Sequence, residues 1–323
     1  MIHLRVVSPP DVTSTVMPML RSEPAVMNLT MIPGAVSKPD GDAVQFDVLQ
    51  GAANKVIGRL RALGLDQRGS IVLENVDTSI SALADRATAR QGRYQQFAPV
   101  WAQVESRIAL EGTFPPSWFA LLVIAGLIGA VGILTNSQIL IVGAMVVGPE
   151  YGAILSLAYG LDGRDFSRIR RSAAALVVGF TLATVGALLL ALIIRGASLE
   201  PKAYSLGIRP VSDLINTPNW FSVIVALLAG VVGVVSLTEA RSSTLIGVFI
   251  SVTTVPAASD TGVSLAFGSN TEARGSVLQL LLNVVILTAV AAVGLPVQRA
   301  VWRRAARRAA AAPSGAENGR LMK

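Results

Sequence analysis

The feature that most constrains this chain is a set of six apolar stretches in its last two thirds, each close to the ~20 residues that cross a bilayer as a helix. These stretches are residues 118–135, 138–160, 172–194, 219–238, 244–267 and 276–298. Charged residues make up only 15% of the 323 residues, whereas soluble domains contain about 25%. The sequence therefore predicts an α-helical polytopic membrane protein of about six spans, with the lipid bilayer as partner, and excludes a purely soluble fold.

Arginines beside these stretches predict which ends face the cytosol. They lie in the loop 161–171 and after the last span: Arg164, Arg168, Arg170, Arg171, Arg299, Arg303, Arg304, Arg307 and Arg308. Short arginine-rich loops stay cytosolic, and six spans place both segments on the side of the N-terminus. We expect a multi-pass protein of the cell inner (plasma) membrane with both termini cytoplasmic, anchored by Arg170, Arg171, Arg303 and Arg304. This topology explains the net charge of +7, so no nucleic-acid partner is predicted.

Residues 1–77 alternate apolar and polar side chains in four short runs, with helical spacing between them. In two of the runs the apolar positions are Ile2, Leu4, Val6, Val44, Phe46 and Val48. Alternation with period two is typical of half-buried strands, and the order predicts a cytosolic βαββαβ domain of the ferredoxin-like, ACT-like type. Gly64 is expected to end the second helix, whereas Pro18 weakens the first. The single histidine, His3, is expected to be solvated at the edge of this domain.

The remaining boundaries follow from composition. Residues 78–117 have few turn signals and predict a broken linker helix, and residues 118–298 form the transmembrane domain. Residues 299–323 predict a basic cytosolic tail that is partly disordered, because its end is rich in small and polar residues. Glu239 and Arg241, at the end of the fourth span, are interpreted as boundary residues that can form an ion pair.

An internal repeat is the most informative signal in the membrane region. The segment LIGAVGIL at 127–134 is similar to LAGVVGVV at 228–235, and GPEYGAILSLAYG at 148–160 is similar to VPAASDTGVSLAFG at 255–268. The halves 118–194 and 219–298 each contain three spans, and an odd number of spans predicts two inverted repeats. Inverted repeats with a pair of interrupted spans are a feature of secondary transporters.

Each half places a proline and a carboxylate inside its second span. Glu150 directly follows Pro149, and Asp260 lies four residues after Pro256. A charge at the bilayer centre costs about 2.5 kcal/mol or more, so both carboxylates are expected to face the interior of the bundle. There they can bind a cation, a proton or a polar solute. Alternatively, they lie near the headgroups or cap a broken helix.

Three further polar residues of these spans are candidates for the same site. Ser259, Thr261 and Asn283 supply two hydroxyl groups and an amide. Such side chains more often pack membrane helices against each other, and that alternative stays open.

Composition also excludes several classes of enzyme. The chain has no cysteine and one histidine, which excludes thiolate zinc sites and centres that need two imidazoles. Asp260, Thr261 and Gly262 match the D-T-G of aspartic proteases, but those enzymes need two such carboxylates and no second copy occurs. We therefore expect no enzymatic activity, no metal and no cofactor.

Residues 136–172 resemble a widespread prokaryotic membrane family, domain of unknown function 389. The resemblance rests on a serine, a G-A-M triplet, a proline and a basic loop ending in serine: Ser137, Gly143, Ala144, Met145, Pro149, Arg170, Arg171 and Ser172. A second similar block is LIGVFISVTTVP at 245–256, and Asn283 matches an asparagine of the last span. The resemblance implies a multi-span membrane protein, frequently with a cytosolic domain, and implies no activity.

Together these patterns predict a transporter- or channel-like membrane protein. A small polar solute or ion would pass through a site between the two broken spans, and the cytosolic domain would regulate it by binding a small ligand. A homo-oligomer is expected, because ACT-like modules usually pair and small-residue faces favour close packing. The alternatives are a membrane-embedded ligand sensor or scaffold without flux, and an intramembrane enzyme.

Overall fold

The computed structural model describes residues 1–76, 78–90, 97–238 and 254–311. The chain divides into two compact units, residues 1–105 with 299–323 and residues 106–298. The boundaries predicted at 77, 117 and 298 stay predictions.

The first unit begins with a four-stranded antiparallel sheet and its helices. Its elements are β1 (Ile2–Ser8), α1 (Pro10–Arg21), β2 (Val26–Ser37), β3 (Asp40–Val48), α2 (Gln50–Ala62), α3 (Leu65–Arg68) and β4 (Ser70–Asn75). The strand order is β2-β3-β1-β4, and each neighbouring pair is antiparallel. The element order is the predicted βαββαβ order, with the single turn of α3 added before β4.

The alternating residues of β1 and β3 form the core of this sheet. Leu4 and Phe46 face each other in the register and are fully buried. Helix α1 forms although Pro18 lies inside it, because Val16 and Leu20 of the same helix are buried in this core and tertiary burial outweighs local propensity. Gly64 has a left-handed backbone with φ 73° just after α2, as the sequence predicted.

The edge position predicted for His3 is wrong. Strand β1 lies between β3 and β4, and His3 Nδ1 is 2.8 Å from Asp47 Oδ1 on β3. Asn28 Nδ2 donates to the other oxygen of that carboxylate at 2.6 Å. Alternation identifies a strand but carries no information about its place in the sheet.

Helices α4 (Ala82–Arg90) and α5 (Trp101–Glu111) occupy the predicted linker. The start of α5 is fastened to α2, because Asn54 Oδ1 accepts from the Trp101 amide at 2.9 Å and Asn54 Nδ2 donates to Pro99 O at 2.8 Å. Glu105, at the end of this unit, lies 3.8 Å from the Arg299 guanidinium. The start of α5 therefore packs on the first unit.

The second unit is helical throughout its described part. Its elements are the end of α5, then α6 (Pro116–Leu134), α7 (Gln138–Val147), α8 (Glu150–Gly163), α9 (Phe166–Gly196), α10 (Lys202–Ser205), α11 (Pro210–Asn216), α12 (Trp220–Thr238), α13 (Val255–Ala266) and α14 (Asn270–Ala311). Helices α6, α9, α12 and α14 are long and apolar enough to cross a membrane, and α7 with α8 makes a fifth candidate bent by 51°. The described residues thus contain four or five candidate spans.

The fifth predicted span, 244–267, is only partly described. Residues 239–253 lie outside the described residues and include Glu239, Arg241 and most of the second block of family resemblance; α13 is the described part of that span. The last helix, α14, continues to Ala311, so the predicted tail begins as helix. Residues 312–323 lie outside the described residues.

The same local geometry occurs twice in the second unit, 104 residues apart. Helices α6 and α12 are both 19 residues long and begin at residues 116 and 220, and the long helices α9 and α14 begin at 166 and 270. Arg164 and Gly268, two residues before those helices, both have a left-handed backbone. The next amides, of Asp165 and Ser269, donate at 2.9 Å to the carbonyls of residues 160 and 264.

Side-chain contacts follow the same spacing. Ser172 of α9 donates to Ser156 of α8 at 3.0 Å, and Ser276 of α14 donates to Asp260 of α13 at 2.6 Å. Asp260 lies 104 residues after Ser156, and Ser276 lies 104 residues after Ser172. The matches found in the sequence were offset by 101 and 108 residues, so they were out of register by about one helical turn.

Candidate site at the opposed helix starts

A proline break creates the candidate site. Helix α7 ends at Val147 and α8 begins at Glu150, because Pro149 has no backbone N–H to donate to the preceding turn. The break leaves carbonyl groups that need donors in a dry medium. Trp118 supplies a donor to one carbonyl at the break, since its indole nitrogen donates to Pro149 O at 3.1 Å.

Glu150 is the centre of the site. It is the first residue of α8 and its side chain is only 1% exposed. Its Oε1 accepts a hydrogen bond of 2.7 Å from Thr254 Oγ1, and Thr254 is the residue that precedes the first turn of α13. The starts of α8 and α13 therefore meet at this carboxylate.

Helix α9 shows that α8 and α13 leave this point in opposite directions. The later turns of α8 contact the beginning of α9, where Ser156 bonds to Ser172. The last turn of α13 lies at the other end of α9, where Arg195 Nη1 donates to Ala266 O at 2.5 Å. Because the 31 residues of α9 extend about 45 Å, the two short helices run toward opposite ends of the unit.

Two helix starts converge on the Glu150 carboxyl group. Each helix start carries a partial positive charge of roughly half a unit. A buried carboxylate beside a hydroxyl group offers oxygen ligands for a hard cation and an acceptor for a proton. Exchange of either one with solvent would need a polar route to this carboxylate.

Asp260 lies in a different polar cluster. It is fully buried, and its two oxygens accept hydrogen bonds of 2.6 Å from Ser212 of α11 and Ser276 of α14. Asn216 donates to Ser212 Oγ at 3.4 Å. Asp260 is six residues beyond Thr254, about 9 Å along α13. The structure therefore places the two predicted carboxylates in separate clusters, and Asp260 joins α13 to α11 and α14.

The other candidate residues make contacts typical of helix packing. Ser259 Oγ donates to Val255 O at 2.9 Å and to Gly126 O of α6 at 3.1 Å, and Thr261 Oγ1 donates to Ala257 O at 2.8 Å.

Two candidates lie at other points of the helices. Pro256 is in the first turn of α13, next to Thr254, as its N–H-free backbone favours. Asn283 is buried in α14 and its Oδ1 accepts from Gln279 Nε2 at 3.4 Å. Of these two residues, only Pro256 lies close to the junction along the chain, two residues after Thr254.

Sequence reasoning did not place Thr254, Ser212 or Trp118 in a site. A threonine directly before a helix start is a common capping residue, so that signal was present for Thr254. Ser212 and Trp118 carry no such local signal, because their partners are 48 and 31 residues away in the chain.

The predicted anchoring arginines are exposed. Arg170 and Arg171 lie in the first two turns of α9, and Arg303 and Arg304 lie in α14. Asp165 begins α9, since its Oδ1 accepts from the Arg168 amide at 3.0 Å. This bond holds the pKa of the Asp165 carboxyl below its ordinary value.

A metal centre is not built from the described side chains. Among residues 1–76, 78–90, 97–238 and 254–311, no group of three or more His, Asp and Glu residues is positioned to hold a metal ion.

Fold and site together define a helical membrane protein in which the short helices α8 and α13 start at one carboxyl group and run in opposite directions. The profile of the family described as Domain of unknown function (DUF389) matches residues 145–289, from the end of α7 into α14. This match confirms, for residues 145–289, the resemblance that the sequence predicted. No match was found among curated proteins or solved structures.

Proposed function

We propose that this chain is a transporter- or channel-like membrane protein that moves a small polar solute or ion past Glu150. The observation that carries this proposal is the 2.7 Å bond between Glu150 and Thr254, which joins the starts of two helices that run to opposite ends of the unit. Secondary transporters use the starts of discontinuous helices near the membrane midplane to hold charged groups. Here the chain itself supplies the anionic group.

An inverted repeat supports this architecture. Residues 118–194 and 219–298 are proposed to be two inverted three-span repeats in a six-span domain. Glu150 and Thr254 are 104 residues apart, which is the spacing between the two sets of helices. They therefore occupy the same position in the two repeats and bond to each other, as residues on a two-fold axis do.

A cation or a proton fits the junction better than an anion. The Glu150 carboxylate occupies the place where the two positive helix starts would attract a free anion. A monovalent cation or a proton would instead bind to the carboxylate and the Thr254 hydroxyl, and would leave toward either end of the unit.

The remaining features complete the proposal. The βαββαβ order of the N-terminal unit supports an ACT-like domain that binds a small ligand and regulates flux; this step is an analogy at the level of fold. Homo-oligomer formation, location in the cell inner membrane and cytoplasmic termini belong to the same proposal.

Ion flux across the membrane of vesicles that contain the protein tests the proposed function. Full-length protein in phospholipid vesicles is given gradients of H⁺, Na⁺ or K⁺, and the ions are followed with entrapped dyes. We expect flux of at least one ion above that of empty vesicles, reduced about tenfold or more by Glu150→Gln, which keeps shape and removes charge. Asp162→Asn makes the same chemical change at an exposed position of α8 and is expected to leave flux unchanged.

Two results would contradict the proposal. One is flux no greater than that of empty vesicles for all three ions. The other is an equal rate in wild type and Glu150→Gln. If a small ligand still shifted the melting temperature of a flux-free protein, the sensor interpretation would replace transport.

A further inference from the structure

Two cavities flank the junction of α8 and α13. The first has a volume of about 420 Å³ and lies among α5, α6, α8 and the end of α12; Gly148 and Pro149 are part of its wall. The second has a volume of about 300 Å³ and lies among α11, the start of α12, α13 and α14; Pro256 is part of its wall. Each cavity is therefore lined by a residue that lies within two positions of Glu150 or Thr254.

The two cavities are built from equivalent positions. Seven of the eight residues that line the second cavity lie 104 residues after a residue that lines the first. Examples are Leu110 and Leu214, Pro115 and Asn219, and Leu121 and Val225. The spacing is that of the helices, so α5 and α11 also correspond to each other.

Their polar lining differs. In the first cavity Arg107 Nε lies 3.6 Å from Glu111 Oε1, and burial raises the pKa of the Glu111 carboxyl. The positions 104 residues later are Val211 and Ile215, which are apolar. The first cavity therefore presents a charged pair to a solute, and the corresponding positions of the second present apolar side chains.

We infer that the two cavities are matched vestibules that open toward opposite faces of the membrane and lead small hydrated ions to the Glu150–Thr254 junction. Residues 107–152 with the end of α12 line one vestibule, residues 214–279 line the other, and the short helix α5 or α11 lies at the mouth. This inference rests on the proposed function, but it concerns access of water and can be tested without measuring flux.

The absence of cysteine from the chain makes that test direct. Leu121→Cys and Val225→Cys place one thiol in each cavity at equivalent depth. Ile124→Cys and Leu228→Cys are matched controls, also 104 residues apart, on exposed faces of the same two helices that do not line these cavities. Each single variant of the full chain is treated with a membrane-impermeant methanethiosulfonate, applied to right-side-out spheroplasts and to inverted membrane vesicles.

The inference predicts sided labelling. Leu121→Cys should react at least tenfold faster from one side, Val225→Cys at least tenfold faster from the other, and the two controls slowly from both. Reaction of both cavity thiols from the same side would overturn it, as would rates no higher than those of the controls. Sided labelling without ion flux would support the vestibules and contradict only the proposed function. Ion flux without labelling of the cavity thiols would contradict only the vestibules.

Discussion

At the scale of single residues, the break at Pro149 places the Glu150 carboxyl group where the protein can stabilise it. A carboxylate in a membrane interior is stabilised only by donors and dipoles supplied by the protein. Thr254 provides a hydroxyl donor at 2.7 Å, and two helix starts add their partial positive charge. Pro149 makes this possible, because it ends α7 and lets α8 begin at the carboxylate.

Thr254→Val should weaken the fold by about 1–3 kcal/mol, the usual cost of removing a donor from a buried acceptor. Thr181→Val is the control, since Thr181 is exposed and its hydroxyl donates to Val177 O within its own helix. Unfolding of the full chain in detergent, followed by circular dichroism, gives the two free energies. Equal values for the two variants would argue against an energetic role for the Glu150–Thr254 bond.

The lowered pKa of Asp165 predicts that its contribution to stability depends on pH. The backbone bond from Arg168 lowers its pKa from 3.8, so its ionised form favours the folded state. That contribution is complete above pH 3.8 and is lost as the pH falls through the lowered value. Asp165→Asn should therefore lower the melting temperature at pH 7 and have little effect in stronger acid. A difference that is the same at both pH values would contradict this assignment.

At the scale of elements, α13 is held by close contacts on nearly every side. A Cβ at Gly262 would lie 2.4 Å from Thr184 O on α9, so this contact between the two helices requires glycine. Thr184 Oγ1 also donates to Ala258 O at 3.1 Å. Helix α13 is thus buried along its length although it is only 12 residues long.

Gly262→Ala should destabilise the protein by about 1–3 kcal/mol, because an added methyl group forces α13 and α9 apart. Gly143→Ala in α7 is the matched change, since an added Cβ there meets no atom within 4 Å. It should be neutral or stabilising by up to ~1 kcal/mol through better helix propensity. Thermal unfolding of both variants checks this, and a cost for Gly143→Ala as large as that of Gly262→Ala would refute the packing argument.

Sequence patterns predicted individual elements better than the distances between them. Alternation placed β1 and β3 correctly, because one face of each strand is buried, but it did not show that β1 is central. The repeat was visible, yet its register was wrong by about one turn, since small residues that recur every three or four positions still match after such a shift. The starts of the matching helices and their turn geometry fix the spacing at 104 residues.

At the scale of the whole molecule, the site depends on contacts between halves of the membrane unit. The sequence placed Glu150 and Pro149 at a break, because a charge and a proline in an apolar stretch are both costly there. It grouped Asp260 with them, although Asp260 bonds to Ser212 and Ser276. Thr254 is 104 residues from Glu150, so their hydrogen bond could be identified only from the three-dimensional structure.

Cross-linking of the two helix starts tests the central claim most directly. The double variant Glu150→Cys with Thr254→Cys puts two thiols in an otherwise cysteine-free chain; Glu150→Cys with Ser264→Cys is the control, ten residues further along α13. If α8 and α13 meet at this junction, mild oxidation or a short bifunctional thiol reagent should cross-link the first pair within the full-length protein and leave the control pair free. Equal cross-linking of both pairs, or of neither, would contradict it.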